Sequence, residues 1–88
     1  MTADPTVDEV LAVVQQACAT VLEVDPRSVT AATRLVEDLQ ADSLAVVEIV
    51  EIVEGALASR GARGHVEDED LDGLTTAGDV AHALAGPA

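Results

Sequence analysis

The stretch Glu37-Asp38-Leu39-Gln40-Ala41-Asp42-Ser43-Leu44 is followed at once by the apolar-rich run Ala45 to Val53. Beyond Ser43, Val46, Ile49, Val50, Val53 and Leu57 recur at about 100° per residue, the pattern of a helix buried along one side. The spacing predicts a helix from Ser43 to about Ala58, with Leu44, Val47, Glu48, Glu51 and Glu54 on its other side. Ser43 is a lone serine at this helix start, flanked by Asp42 and Leu44 and surrounded by carboxylates. A catalytic serine needs a base within hydrogen-bond reach, and no histidine, lysine or cysteine lies nearby in the sequence. The pattern describes a serine to be acted upon. Serine is also a preferred helix N-cap, a role contributing ~1 kcal/mol, and capping and modification are compatible.

Upstream, Thr6 to Glu9 fits a capping box. Val7, Val10, Leu11, Val14, Ala17, Cys18 and Val21 then follow at helical spacing. They predict a first helix over residues 6–23, stopped by Asp25-Pro26. Residues 24–42 form a long connection with spaced apolar anchors at Val24, Val29, Leu35, Val36 and Leu39, which suits a loop pinned across a helical core. A short turn of helix is expected at about residues 33–39. Downstream, Gly61 and Gly64 punctuate a loop containing Arg60, Arg63 and His65. Residues 67–71 suit a short third helix. Thr76-Ala77-Gly78-Asp79 repeats the capping-box pattern and opens a last helix through about Leu84, ended by Gly86-Pro87. Strong strand alternation, internal repeats and low-complexity tracts are absent from the sequence. The expected fold class is all-α: a small four-helix bundle with a long loop between helices 1 and 2 and a short third helix. Residues 1–88 form one domain, with a core over about 6–85.

Eighty-eight residues support one small core. With 49% hydrophobic and 0% aromatic residues, that core is built of Val, Leu, Ile and Ala. No aromatic platform exists on which a nucleic-acid base could stack. The net charge of -13, from 17 Asp and Glu against 4 arginines, excludes a basic phosphate-binding footprint. It equally disfavours an anionic membrane surface and favours basic protein partners met in fast, salt-sensitive encounters. No apolar run reaches the length of a membrane span. Met1-Thr2-Ala3-Asp4-Pro5 lacks the basic and apolar regions of a signal peptide, so a soluble cytoplasmic protein is expected. Cys18, on the first helix's apolar stripe, is expected to be a small buried hydrophobe. Crowded carboxylates on the second helix and at residues 67–72 are expected to raise stability toward mildly acidic pH.

Together these segments resemble acyl carrier proteins, over about residues 7–84. The resemblance rests on Asp42-Ser43-Leu44, the amphipathic helix after it, the glycine-bearing loop, the acidic short helix and Leu74-Thr75-Thr76-Ala77-Gly78-Asp79. It implies that Ser43 receives a covalent 4'-phosphopantetheine arm. Asp42 resembles the acidic neighbour that helps a phosphopantetheinyl transferase and its magnesium engage the serine, with Leu44 completing the attachment motif. The thiol of the arm would carry acyl groups as thioesters between enzymes of fatty-acid or polyketide synthesis. Ketosynthase, acyltransferase and other biosynthetic enzymes with basic patches are the implied partners, and the chain itself is not an enzyme. Leu44, Val47, Glu48, Glu51 and Glu54 are candidates for the docking surface. Val46, Ile49, Val50 and Val53 are candidates for an acyl cleft. The chain is expected to be a freestanding monomer.

Two other readings stay open. A peptidyl or amino-acyl carrier shares the motif, although Asp42 before Ser43 favours acyl carriers. From another class, Asp68-Glu69-Asp70-Leu71-Asp72-Gly73 with Asp79 at the twelfth position matches most of a calcium loop. Against it, Asp79 is shorter than the usual bidentate Glu and Gly61 to Gly64 interrupts the entering helix. Asp68, Asp70, Asp72 and Asp79 are therefore only weak metal candidates. His65 and His82 have no partner at metal-ligand spacing. Gln40 departs from the family pattern, standing where glycine is common, so a left-handed backbone there would be strained. Gly61 to Gly64 and Val66-Glu67 are further departures.

Overall fold

The computed structural model describes residues 5–61 and 65–85, apart from the side chain of Asp68. Three α-helices carry the fold: α1 (Val7–Leu22), α2 (Ser43–Ala58) and α3 (Ala77–Leu84). The expected stop at Gly86-Pro87 and the Arg63-Gly64 part of the second loop lie outside the described residues. The first helix begins and ends as the sequence chemistry requires. Thr6 Oγ1 accepts from Glu9 N at 3.2 Å, and Glu9 Oε1 accepts from Thr6 N at 3.1 Å, completing the capping box. Glu23 closes the helix in the left-handed region at φ 57°. Thr76 and Asp79 form the same reciprocal cap on α3.

The expected third helix is a 3-10 helix, Asp68–Gly73, so the described residues hold three α-helices rather than four. Its N-cap Glu67 makes no side-chain cap, and it contains one large apolar side chain, Leu71. Six residues with so narrow an apolar contact cannot sustain α-helical cooperativity without strong packing. The helical turn expected near residues 33–39 is a hydrogen-bonded turn, with Asp38 N and Leu39 N both donating to Arg34 O. A further 3-10 turn, Pro26–Ser28, follows Asp25, whose carboxylate accepts from Arg27 N.

α1 packs against both α2 and α3. Val10, Val14, Ala17 and Cys18 from α1 meet Val46, Ile49, Val50, Val53 and Leu57 from α2 and Ala77, Val80, Ala81 and Leu84 from α3 in one core. No polar or charged side chain is buried among the described residues. Burial removes Cys18 from solvent and pushes its thiol up to about 11, as expected for a structural cysteine.

The long connection is pinned as its apolar anchors suggest. Val29 and Leu35 are fully buried. Gln15 Nε2 on α1 donates to Val29 O at 2.6 Å. Leu35 N donates to Thr75 O, Ala77 N to Thr33 O and Gly78 N to Ala31 O, each at 2.9 Å, with an isolated bridge pairing Arg34 and Thr76. Gly78 is required at this crossing, because a Cβ there would sit 2.7 Å from Ala31 O. Ala41 N donates back to Leu35 O at 3.0 Å, closing a loop that delivers Asp42 and Ser43 to the start of α2.

Candidate functional site

Gln40 turns the chain into this helix start with φ 59°, the left-handed conformation in which a side chain is strained. Ala41, 3% exposed, anchors the next step in the core. Asp42 then caps α2: its Oδ1 accepts from Ala45 N at 2.8 Å. This corrects the reading of Ser43 as the cap. An aspartate immediately before a serine competes for the same orphan amides, and here its carboxylate takes the bond while Ser43 becomes the first helical residue. The Ser43 hydroxyl has no hydrogen-bond partner among the described residues and is exposed. The other two serines differ, since Ser28 Oγ donates to Asp25 O at 2.6 Å and Ser59 Oγ to Ala56 O at 2.7 Å.

A cleft of about 400 Å³ adjoins Ser43. Val36, Val46, Val47, Leu71 and Leu74 supply its apolar walls, and Asp42 and Asp72 its charged rim. No histidine, lysine or cysteine lines it, and neither rim carboxylate is hydrogen-bonded to the Ser43 hydroxyl among the described residues. A larger recess of about 490 Å³, between α1 and α2 near Arg60, includes neither Asp42 nor Ser43. An arm ending in a phosphodiester fits the serine site. The amides of Ser43 and Leu44, left over by the Asp42 cap, point out of a helix N-terminus that favours negative charge by about 0.3–1 kcal/mol. The apolar walls beside it can shelter the pantetheine chain.

The candidate acyl-cleft residues divide. Val46 lines the serine-side cleft, and Val50 lines a smaller recess of about 110 Å³ beside it. Ile49 and Val53 are fully buried and line neither. The candidate docking residues divide too. Leu44 is 65% exposed, Glu48 and Glu51 are exposed and Val47 is half-buried. Glu54 instead turns inward, accepting from Val66 N at 2.8 Å and lying 2.9 Å from His65 Nδ1. Val36, 55% exposed on the opposite wall, was not among the sequence candidates for the site. This corrects the expectation that Val36 anchors the long loop: it lies outside the core and forms part of the cleft wall instead.

The calcium-loop alternative loses its geometry. Residues 68–73 coil into a 3-10 helix, and Asp79 Oδ2 is occupied as acceptor from Thr75 N and Thr76 N, both at 3.0 Å. No three potential metal ligands gather among the described residues; the side chain of Asp68 lies outside them.

Four carboxylates, none of them on α2 or among residues 67–72, are shifted from their ordinary values. Backbone N–H bonds hold Glu9, Asp38 and Asp79 below the usual carboxylate range, and the Arg27 guanidinium does the same for Asp25. For these groups local hydrogen bonding outweighs the desolvation that raises a carboxylate.

Residues 12–84 match the family of the phosphopantetheine attachment site. The chain belongs to the acyl carrier protein family. The matched domain is the one to which 4'-phosphopantetheine is covalently attached, so that group is its cofactor. The acyl carrier protein of Rhodococcus erythropolis is 37% identical over 75 residues, covering 85% of this chain and 77% of that protein. The acyl carrier protein of an Exiguobacterium species is 39% identical over 75 residues, covering 85% and 89%. The meromycolate extension acyl carrier protein of Mycobacterium leprae is 35% identical over 75 residues; the match covers 85% of this chain and 61% of that longer protein. Proteins of this family carry intermediates for biosynthetic enzymes and are not catalysts. No helix among the described residues is long and apolar enough to cross a membrane.

Proposed function

We propose that Ser43 is the attachment residue and that the chain, a single domain acting as a monomer in the cytoplasm, shuttles acyl groups between enzymes of fatty-acid or polyketide synthesis. The observation that carries this reading is the free, exposed Ser43 hydroxyl at the first position of α2, beside an apolar cleft and inside the family match. In the transfer, Ser43 Oγ bonds to the pantetheine-side phosphorus of coenzyme A and the pyrophosphate bridge breaks. Adenosine bisphosphate leaves, and the hydroxyl proton passes to a base on the transferase. Asp42 has one oxygen committed to Ala45 N, leaving the other free to face the transferase's magnesium. The bound arm supplies a thiol that carries acyl groups as thioesters.

Leu44, Glu48 and Glu51 are the docking residues of this proposal. They share the exposed side of α2 with Ser43 at its near end, where basic patches on a phosphopantetheinyl transferase, ketosynthase or acyltransferase would meet the carboxylates first. Val46, Val47, Leu71 and Leu74 shelter the arm and the start of its cargo. A peptidyl carrier is the second reading; Asp42 before Ser43 and the acyl carriers among the relatives favour the first. The test is incubation of wild type and Ser43→Ala with a phosphopantetheinyl transferase and coenzyme A. Wild type should gain the arm and release it only with its phosphodiester, while the variant gains nothing. Loading with acyl-coenzyme A but not with an aminoacyl-activating enzyme separates the two carrier readings.

A further inference from the structure

We propose that Glu54 is a latch that holds one wall of the cleft against α2, making it a positioning residue rather than a docking one. Glu54 follows Glu48 and Glu51 along the helix, yet its side chain is only 20% exposed. Its Oε2 accepts from Val66 N at 2.8 Å and lies 2.9 Å from His65 Nδ1, reaching across twelve positions of sequence to the former. Val66, 7% exposed, is thereby seated in the core.

The segment fixed in this way is a wall shared by two spaces. Val66 and His65 line the 110 Å³ recess together with Val47, Val50 and Leu71. Val47 and Leu71 also line the cleft beside Ser43. The wall is tied at its far end where Thr75 O accepts from Leu35 N. Its near end is tied to α2 through the Glu54 carboxylate. Between the two ties lies the 3-10 helix, which has no side-chain cap and one large apolar contact, Leu71. Release of the near tie would free the Leu71 wall to swing, while the core of α1, α2 and α3 stays packed. The cleft that shelters the arm would then open toward the recess.

His65 lies over the same carboxylate, with Nδ1 2.9 Å from Glu54 Oε2 and Nε2 3.7 Å from Glu67 Oε1. Glu51 also lines the recess, and among the described residues no arginine or lysine does. The Val66 amide is therefore the hydrogen-bond donor that fixes the Glu54 carboxylate to this segment.

The inference rests on the proposed function only for what the cleft holds. Its test uses the full chain without any arm, so a failure of attachment at Ser43 leaves the measurement intact. Amide exchange at Val66, corrected for intrinsic rate, should be about tenfold faster in Glu54→Ala, as for the loss of one charge-assisted bond. It should return close to wild type in Glu54→Gln, which keeps an acceptor. Methyl relaxation dispersion should appear at Leu71 and Val47 in the alanine variant. Equal Val66 exchange in wild type and Glu54→Ala, Val66 exchange in Glu54→Gln as fast as in Glu54→Ala, or silent Leu71 methyls in the alanine variant would each overturn the latch.

Discussion

Asp42→Ala should destabilise the fold, and Ser43→Ala, one residue later, should not. The aspartate supplies the α2 cap, with Oδ1 at 2.8 Å from Ala45 N. Loss of such a cap costs about 1 kcal/mol, within a range of about 0.5–2. For a domain of this size 1 kcal/mol lowers Tm by roughly 4–8 °C. Asp42→Asn keeps a carbonyl oxygen at the same reach and should restore most of that loss. Ser43 contributes a hydroxyl with no partner among the described residues, at an exposed first-turn position. Alanine is the better helix former, so Ser43→Ala should stay within about 0.5 kcal/mol of wild type. Thermal melts followed by circular dichroism at neutral pH measure all three variants. A larger drop for Ser43→Ala than for Asp42→Ala, or an asparagine variant no better than alanine, would show that the cap has been assigned to the wrong residue. The contrast also separates stability from modification: the variant that cannot be modified is the one that should fold normally.

Gln40→Gly should leave Tm unchanged or raise it slightly. Relief of a left-handed penalty of about 1 kcal/mol is partly offset by glycine's extra freedom in the unfolded chain, about 0.5–1 kcal/mol. Gln40→Val should lower Tm, and a fall with glycine would contradict the strain. Glu48→Lys/Glu51→Lys should slow transferase loading at low salt without changing the helical signal, the deficit shrinking as salt is added; equal low-salt rates would return this face to plain solvated surface. Folding should weaken under acid, because Glu9, Asp25, Asp38 and Asp79 ionise below their usual range. The unfolded chain then binds more protons, so their contribution is full above the unfolded values near pH 4 and is lost as pH falls through the folded ones. A Tm that climbs on acidification through that window would reverse the sign. At pH 7 added salt or magnesium should raise Tm by screening the net charge of -13.

The residues that spoke most clearly in the sequence were those with periodic or reciprocal chemistry. The apolar stripe and following polar residues marked α2 from Ser43 to Ala58, and two capping boxes marked the starts of α1 and α3. The buried anchors Val29 and Leu35 also declared a pinned connection, though not the Thr75, Thr33 and Ala31 bonds that pin it. Cap choice between Asp42 and Ser43 was illegible because both side chains can reach an orphan amide, and only the backbone geometry set by Gln40 and Ala41 decides. The segment after Glu67 looked helical because short acidic runs around one leucine suit either an α or a 3-10 turn. Glu54 looked like its neighbours Glu48 and Glu51, since nothing local reveals that a loop returns Val66 and His65 to it. At the candidate site, the sequence indicated Ser43, Asp42 and the exposed Leu44. Val36, Leu71 and Leu74 join them through folding alone.

The central claim is that Ser43 carries the arm, and fragmentation mass spectrometry of the protein isolated from its native host tests it most directly. Cleavage after Arg34 and Arg60 releases a peptide of residues 35–60 that contains both Ser43 and Ser59, and Ser28 falls in the peptide before it. The added phosphopantetheine, with whatever acyl group it bears, should be found on fragments that include Ser43 and be missing from fragments carrying only Ser59. An arm on Ser28 or Ser59, or an unmodified residue 43 in protein whose mass shows the arm, would contradict the account.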